Sequence, residues 1–164
     1  MADPVYNVLF LCTGNSARSI MAEALLKHYG KGRFRAFSAG SHPAGRVNAI
    51  ALEVLSRNNV GVEAPRCKSW DEFATPDSPV MDFVFTVCDN AAGEVCPAWP
   101  GKPMTAHWGV PDPVGVQGSP EQKYRAFADT LTILKRRIDL FVSLPISTLS
   151  HLSLKKEVDS IGKK

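Results

Sequence analysis

Eight residues near the start of the chain, Cys12-Thr13-Gly14-Asn15-Ser16-Ala17-Arg18-Ser19, place a thiol, a glycine and a guanidinium in C-x5-R-S spacing. Between a strand and a helix, such a loop suits a tetrahedral oxyanion. Backbone N–H groups around Gly14 to Ala17 can turn inward and form an anion nest at the helix N-terminus. Gly14 is expected to supply a positive φ and close backbone approach. Arg18 can return to the same anion with two parallel hydrogen bonds. The same field is expected to lower the pKa of Cys12, with the Ser19 hydroxyl hydrogen-bonding the thiolate. Cys12 is thus a candidate nucleophile, cradled by Thr13, Gly14, Asn15, Ser16, Ala17 and Ser19 as substrate-binding residues. The plain alternative is a small buried cysteine at a strand end. The preceding strand, the internal glycine and the following serine and helix favour chemistry.

Two further segments carry reactive groups. Asp112, within His107-Trp108-Gly109-Val110-Pro111-Asp112-Pro113, is placed to protonate a leaving oxygen. A turn-forming aspartate before proline is the competing reading. Cys88 and Cys96 flank a run of small residues and suit a disulfide if that run folds or partly unwinds. Metal binding is the rival idea, but no CxxC or nearby histidine completes a ligand set, and two unrelated cysteines remain an alternative. Beside an activated thiolate, a resolving pair passes oxidation along by thiol–disulfide exchange.

The elements that must position these groups can be read from the pattern. Val5–Leu11 is an apolar run rich in strand formers, and Ala17–Tyr29 a helix with Ile20, Met21, Ala24 and Leu25 at helical spacing. Arg33–Ser38 predicts a second strand, Val47–Asn58 a second helix, and Trp70–Phe73 a short helical turn. Asp82–Val87 and Met104–His107 complete four strands. Pro120 opens a long helix whose Tyr124, Phe127, Leu131, Leu134, Ile138 and Phe141 share one side. The remainder, Ile146–Lys164, reads as a polar tail or frayed helix. Strands alternating with helices predict an α/β fold, a parallel sheet with helices on both faces. Ligands bind such sheets at the carboxyl ends of the strands, where Cys12, Cys88 and Asp112 all fall.

The chain has 164 residues, 45% hydrophobic and 21% charged, with net charge +3, so one globular domain over 1–164 is expected, with a core of about 5–144. No long basic run points to nucleic acid. The first apolar run has no basic segment before it, unlike a secretory signal, and no stretch is long enough to span a membrane. A cytoplasmic location is therefore expected, where thiols stay reduced and disulfides are usually transient and catalytic. Four cysteines, Cys12, Cys67, Cys88 and Cys96, are then a matter of reactivity.

Three segments together resemble the low-molecular-weight tyrosine phosphatase superfamily, and more narrowly its cytoplasmic, thioredoxin-coupled arsenate reductases. They are Val8–Ala24, Ser38-Ala39-Gly40, and Val84–Pro113 with His107-Trp108-Gly109 and Asp112-Pro113. The resemblance covers roughly residues 5 to 144. It implies a three-layer domain built on a four-stranded parallel sheet. It implies that Cys12 attacks arsenate held by the loop and Arg18, with phosphate or sulfate as competing oxyanions. Asp112 would help an oxygen leave as water, and Asn15 would stabilise the loop. Cys88 would then attack the Cys12–arsenic adduct, and Cys96 would take the disulfide over for a thioredoxin-like reductant. No tightly bound cofactor is implied, since electrons come from a thiol. Val114-Gly115 stand where the phosphatases usually carry aromatic residues after Asp-Pro, and Cys88 and Cys96 are one residue further apart than is common among the reductases. Some relatives hold potassium through positions resembling Asn15, Glu23 and Ser38. Here Lys68 is expected to replace the cation, so no metal is expected. Cys67 has no role in this scheme. The alternatives are a phosphatase acting on phosphomonoesters, and a non-catalytic oxyanion-binding or redox-sensing protein.

Overall fold

The computed structural model describes residues 4–61, 66–88, 99 and 101–164. In chain order the elements are β1 (Tyr6–Cys12), α1 (Arg18–Tyr29), β2 (Phe34–Gly40), α2 (Ala49–Arg57), β3 (Phe83–Thr86), β4 (Met104–His107), α3 (Pro120–Val142) and α4 (His151–Ile161). Short 3-10 turns occupy Trp70–Phe73 and Ile146–Thr148.

The four strands form one parallel sheet in the order β2-β1-β3-β4. Strand order reverses at β1, which has β2 on one side and β3 on the other, the place where such sheets open a ligand crevice at their carboxyl edge. From Val8 to Cys12, β1 is apolar and buried because both its faces are covered. Val8, Phe10 and Cys12 face a large core shared with all four helices. Leu9 and Leu11 face a smaller cluster with Trp70, Phe73, Met81 and Val84. Among the described residues, this second face is covered by the Trp70–Phe73 turn rather than by a long helix.

Local sequence explains the helix starts. The Asn48 carboxamide accepts from the Ile50 and Ala51 amides at 2.8 and 3.2 Å and caps α2. Ser119 and Gln122 form a reciprocal capping box at α3, with Pro120 in the first turn. Helix α1 differs, because Ala17 at its cap offers no side-chain acceptor.

The chain after Pro145 departs from the expected polar tail. Ser150 caps α4, and Leu154, Val158 and Ile161 are buried along one side of it. Their i, i+4, i+7 spacing gives the helix a continuous apolar stripe. The stripe packs on β4 and α3, and the Trp108 indole N–H donates to the Val158 carbonyl at 2.9 Å. Lys155, expected on a solvated tail, pairs with Asp159 at 2.9 Å and donates to the Thr105 carbonyl. Among the described residues no helix is long and apolar enough to cross a membrane.

Candidate active site

Strand register brings the sequence-predicted groups to one edge. Cys12 ends β1 opposite Gly40. Beyond β3, the Val87 amide donates to the Leu11 carbonyl at 2.8 Å, which sets Cys88 beside the end of β1. Beyond β4, the Trp108 and Val110 amides donate to the carbonyls of Thr86 and Val87 at 2.7 and 3.1 Å. The segment carrying Asp112 thus leaves the sheet next to the segment carrying Cys88.

The loop after β1 is held from outside by its carbonyls. Those of Cys12, Thr13, Gly14 and Ser16 accept from the amides of Ser41, His42, Ala44 and Asn48 at 2.8–3.3 Å. In a planar trans peptide the N–H points opposite to the C=O. The amides of Thr13, Gly14, Asn15 and Ala17 are therefore turned to the inner side of the loop. The Asn15 amide is the visible instance, donating to Cys12 Sγ at 3.2 Å.

The left-handed residue of this loop is Asn15, with φ of 47°, and not Gly14 as the sequence suggested. Asparagine tolerates that region better than most side chains, and here it is fastened at both ends. Its Nδ2 donates to Ser19 Oγ at 2.8 Å, and its Oδ1 accepts from the Lys68 amide at 2.7 Å. The glycine that close approach requires is Gly40. A Cβ there would lie 2.4 Å from the Thr13 carbonyl oxygen and 2.9 Å from the Asn15 nitrogen.

Cys12 is 3% exposed, and Ser19 Oγ lies 2.8 Å from its sulfur. The sequence predicts a lowered pKa, whereas burial pushes the Cys12 thiol up. The Ser19 hydroxyl and amide and the Asn15 amide pull the other way, a nearby Cys88 thiolate adds to the rise, and burial prevails. The Arg18 guanidinium is engaged along the neighbouring segment. Its Nη1 donates to the Val110 carbonyl at 3.1 Å, and its Nη2 lies 3.8 Å from an Asp112 carboxylate oxygen. Asp112 Oδ1 also accepts from the Val114 amide at 3.0 Å, and half of the side chain is open to solvent.

Thr13, expected on the substrate side, has its hydroxyl 3.5 Å from Cys88 Sγ, and Cys88 is buried. Cys96 belongs to residues 89–98, outside the described residues.

Beneath the loop, Lys68 is where the sequence places it. Its buried ammonium donates to the Arg66 carbonyl at 2.7 Å and to Ser38 Oγ at 3.4 Å, with Glu23 Oε1 3.6 Å away. Burial pushes this ammonium below its ordinary value, opposed by the Glu23 carboxylate. Ser38 Oγ donates to Glu23 at 2.5 Å.

Cys67, which had no place in the sequence reading, donates its thiol to the Gly14 carbonyl at 3.2 Å. Arg137 was missed entirely. Its Nη1 donates to the carbonyls of Trp108 and Gly109 at 2.7 and 3.0 Å from a side chain 7% exposed. The available signal was an arginine on the inner stripe of α3, between Leu134 and Phe141.

Residues 7–159 match the low molecular weight phosphotyrosine protein phosphatase family. The chain belongs to that family. An arsenate reductase of Halalkalibacterium halodurans is 34% identical over 134 residues, which is 82% of this chain and 93% of the relative. The structure of an arsenate reductase from Archaeoglobus fulgidus is 30% identical with TM-score 0.61, covering 80% of this chain and 98% of that one. A thioredoxin-dependent arsenate reductase of Corynebacterium glutamicum is 30% identical with TM-score 0.57. It aligns with 86% of this chain, which spans 65% of that longer chain.

Proposed function

We propose that this chain reduces arsenate to arsenite with a cysteine nucleophile and an intramolecular disulfide relay, a detoxifying activity. The single observation that carries the reading is a second thiol at the anion loop, Cys88, 3.5 Å from the Thr13 hydroxyl. Hydrolysis of a phosphomonoester gives that thiol nothing to do.

The inward amides of the loop and the Arg18 guanidinium bind the oxyanion. The Cys12 thiolate, held by Ser19 and the Asn15 amide, attacks arsenic(V). Asp112 donates a proton to the departing oxygen, which leaves as water. The Cys88 thiolate then attacks Cys12 Sγ. The electron pair of the Cys12–arsenic bond stays on arsenic, which leaves as arsenite, and the two sulfurs are joined. Cys96 attacks Cys88 Sγ and releases the Cys12 thiolate. A thioredoxin-like dithiol reduces the Cys88–Cys96 disulfide. Thiol exchange supplies all the electrons, so no tightly bound cofactor is invoked. The Lys68 ammonium provides the positive charge beside Glu23 and Ser38 in place of a bound cation. Phosphate and sulfate compete for the loop by shape and charge. The relay needs a compartment with a reducing thiol pool, as in the cytoplasm.

The test is NADPH oxidation with arsenate, thioredoxin and thioredoxin reductase, run beside aryl-phosphate hydrolysis. Arsenate turnover that is lost in Cys88→Ser and in Cys96→Ser, with some hydrolysis surviving, supports the reading. Efficient hydrolysis without arsenate turnover in the parent chain overturns it in favour of a phosphatase.

A further inference from the structure

A charged side chain in the core demands a reason, because a buried charge without a partner is costly. Arg137 sits on the inner stripe of α3 beside Leu134, Ile138 and Phe141, all fully buried. No carboxylate pairs with it among the described residues, and its Nε has no hydrogen-bond partner there. What it does hold is backbone. One guanidinium nitrogen takes the carbonyls of Trp108 and Gly109 at 2.7 and 3.0 Å. The next carbonyl, that of Val110, is taken by Arg18 Nη1 at 3.1 Å.

Three successive carbonyls are thus claimed by two arginines from different helices. Trp108 fixes the same segment from two further sides. Its ring stacks on Phe85 at 4.0 Å, and its N–H reaches the Val158 carbonyl in α4. Asp112 follows two residues after Val110, with a solvent-exposed carboxyl group whose cationic neighbour is Arg18 at 3.8 Å. The carboxyl group also accepts from the Val114 amide at 3.0 Å, two residues further on, so its place depends on how the backbone that carries it is anchored.

We infer that Arg137 is a positioning residue for the reaction: it fixes the Trp108–Gly109 backbone so that Asp112 meets the departing oxygen of the substrate held over Cys12. The inference rests on the proposed arsenate reductase activity and names a residue through which that site is built. Hydrogen bonds to charged donors are strong enough to hold a loop in one arrangement. A small displacement of an acid in a site costs much rate and little binding.

The test is a double-mutant cycle on Arg137→Met and Asp112→Asn, read as kcat and KM for arsenite formation. Residues that act as one unit are non-additive. Arg137→Met is expected to lower kcat about tenfold with KM nearly unchanged, and Asp112→Asn about 100-fold. The double variant should be no slower than Asp112→Asn alone. Alkylation of Cys12 by iodoacetamide, which needs no acid, should proceed at the parent rate in Arg137→Met. Arg137→Lys, which keeps a cationic donor, should recover part of kcat, and it replaces the methionine variant in the cycle if that one does not fold. Multiplying losses in the double variant, or alkylation that slows together with kcat, would overturn the role. If the parent chain fails to turn over arsenate, the proposed activity falls. The same cycle is then read on aryl-phosphate hydrolysis, which calls on the same carboxyl group, so the two failures remain distinct.

Discussion

In the Cys12–Ser19 loop the working side chains point into the protein, and the carbonyls are turned away to residues 41–48. In the Trp108–Asp112 segment the arrangement is reversed. There the carbonyls point inward to Arg137 and Arg18, and the working carboxyl group stands half in solvent. The two segments meet at one sheet edge and divide the labour accordingly. A nucleophile gains from shielding and from donors aimed at its sulfur. An acid must be reprotonated each cycle and so stays open to water. The difference teaches that one loop is preorganised from outside by backbone amides and the other from inside by arginine side chains.

Substitutions can break this contrast or sharpen it. Cys12→Ser should abolish arsenite formation, by at least ~1,000-fold, with binding of the oxyanion retained, as measured by turnover and by protection of the fold with phosphate. Asp112→Asn should lower kcat by about 100-fold without changing Cys12 alkylation. Ser19→Ala acts on the buried loop alone. Because burial holds the Cys12 pKa above a thiol's ordinary value and Ser19 opposes that rise, alkylation should keep climbing with pH beyond that ordinary value before it levels off. Losing Ser19 should move the profile further up and slow alkylation at neutral pH by roughly tenfold. The smallest effect on rate is expected from Gly162→Ala. A Cβ there would lie 2.2 Å from the His107 carbonyl oxygen and 2.8 Å from Trp108 Cδ1. Thermal unfolding should drop by several degrees, on the order of 1–3 kcal/mol, and arsenite formation should slow while Cys12 alkylation stays at the parent rate.

The sequence made the sheet and the loop readable for a local reason. Strand formers, turn residues and helical spacing all agree between residues 5 and 58, and the observed ends of β1, α1, β2 and α2 lie within two residues of those expected. The Cys12–Ser19 spacing announced an anion loop because its parts are adjacent in the chain. Asn15 taking the left-handed conformation in place of Gly14 was hidden, because it depends on Lys68, 53 residues away. The rise in the Cys12 pKa was hidden too, since burial is a property of the whole core. Helix α4 was underestimated although Leu154, Val158 and Ile161 carried its stripe, because the lysines around them read as a solvated end. Arg137 was illegible as function. Its partners are carbonyls, which every residue possesses, and only the fold says which ones it meets.

The bonds that make the site span long stretches of chain: 53 residues from Asn15 to Lys68, 75 from Thr13 to Cys88 and 92 from Arg18 to Val110. Contacts so distant in sequence form slowly and together. A ribosome still holding the last half of this chain therefore carries a thiol with ordinary manners, and the reactive centre comes into being only when β3 and β4 have docked. During refolding, recovery of activity should be the last signal to appear.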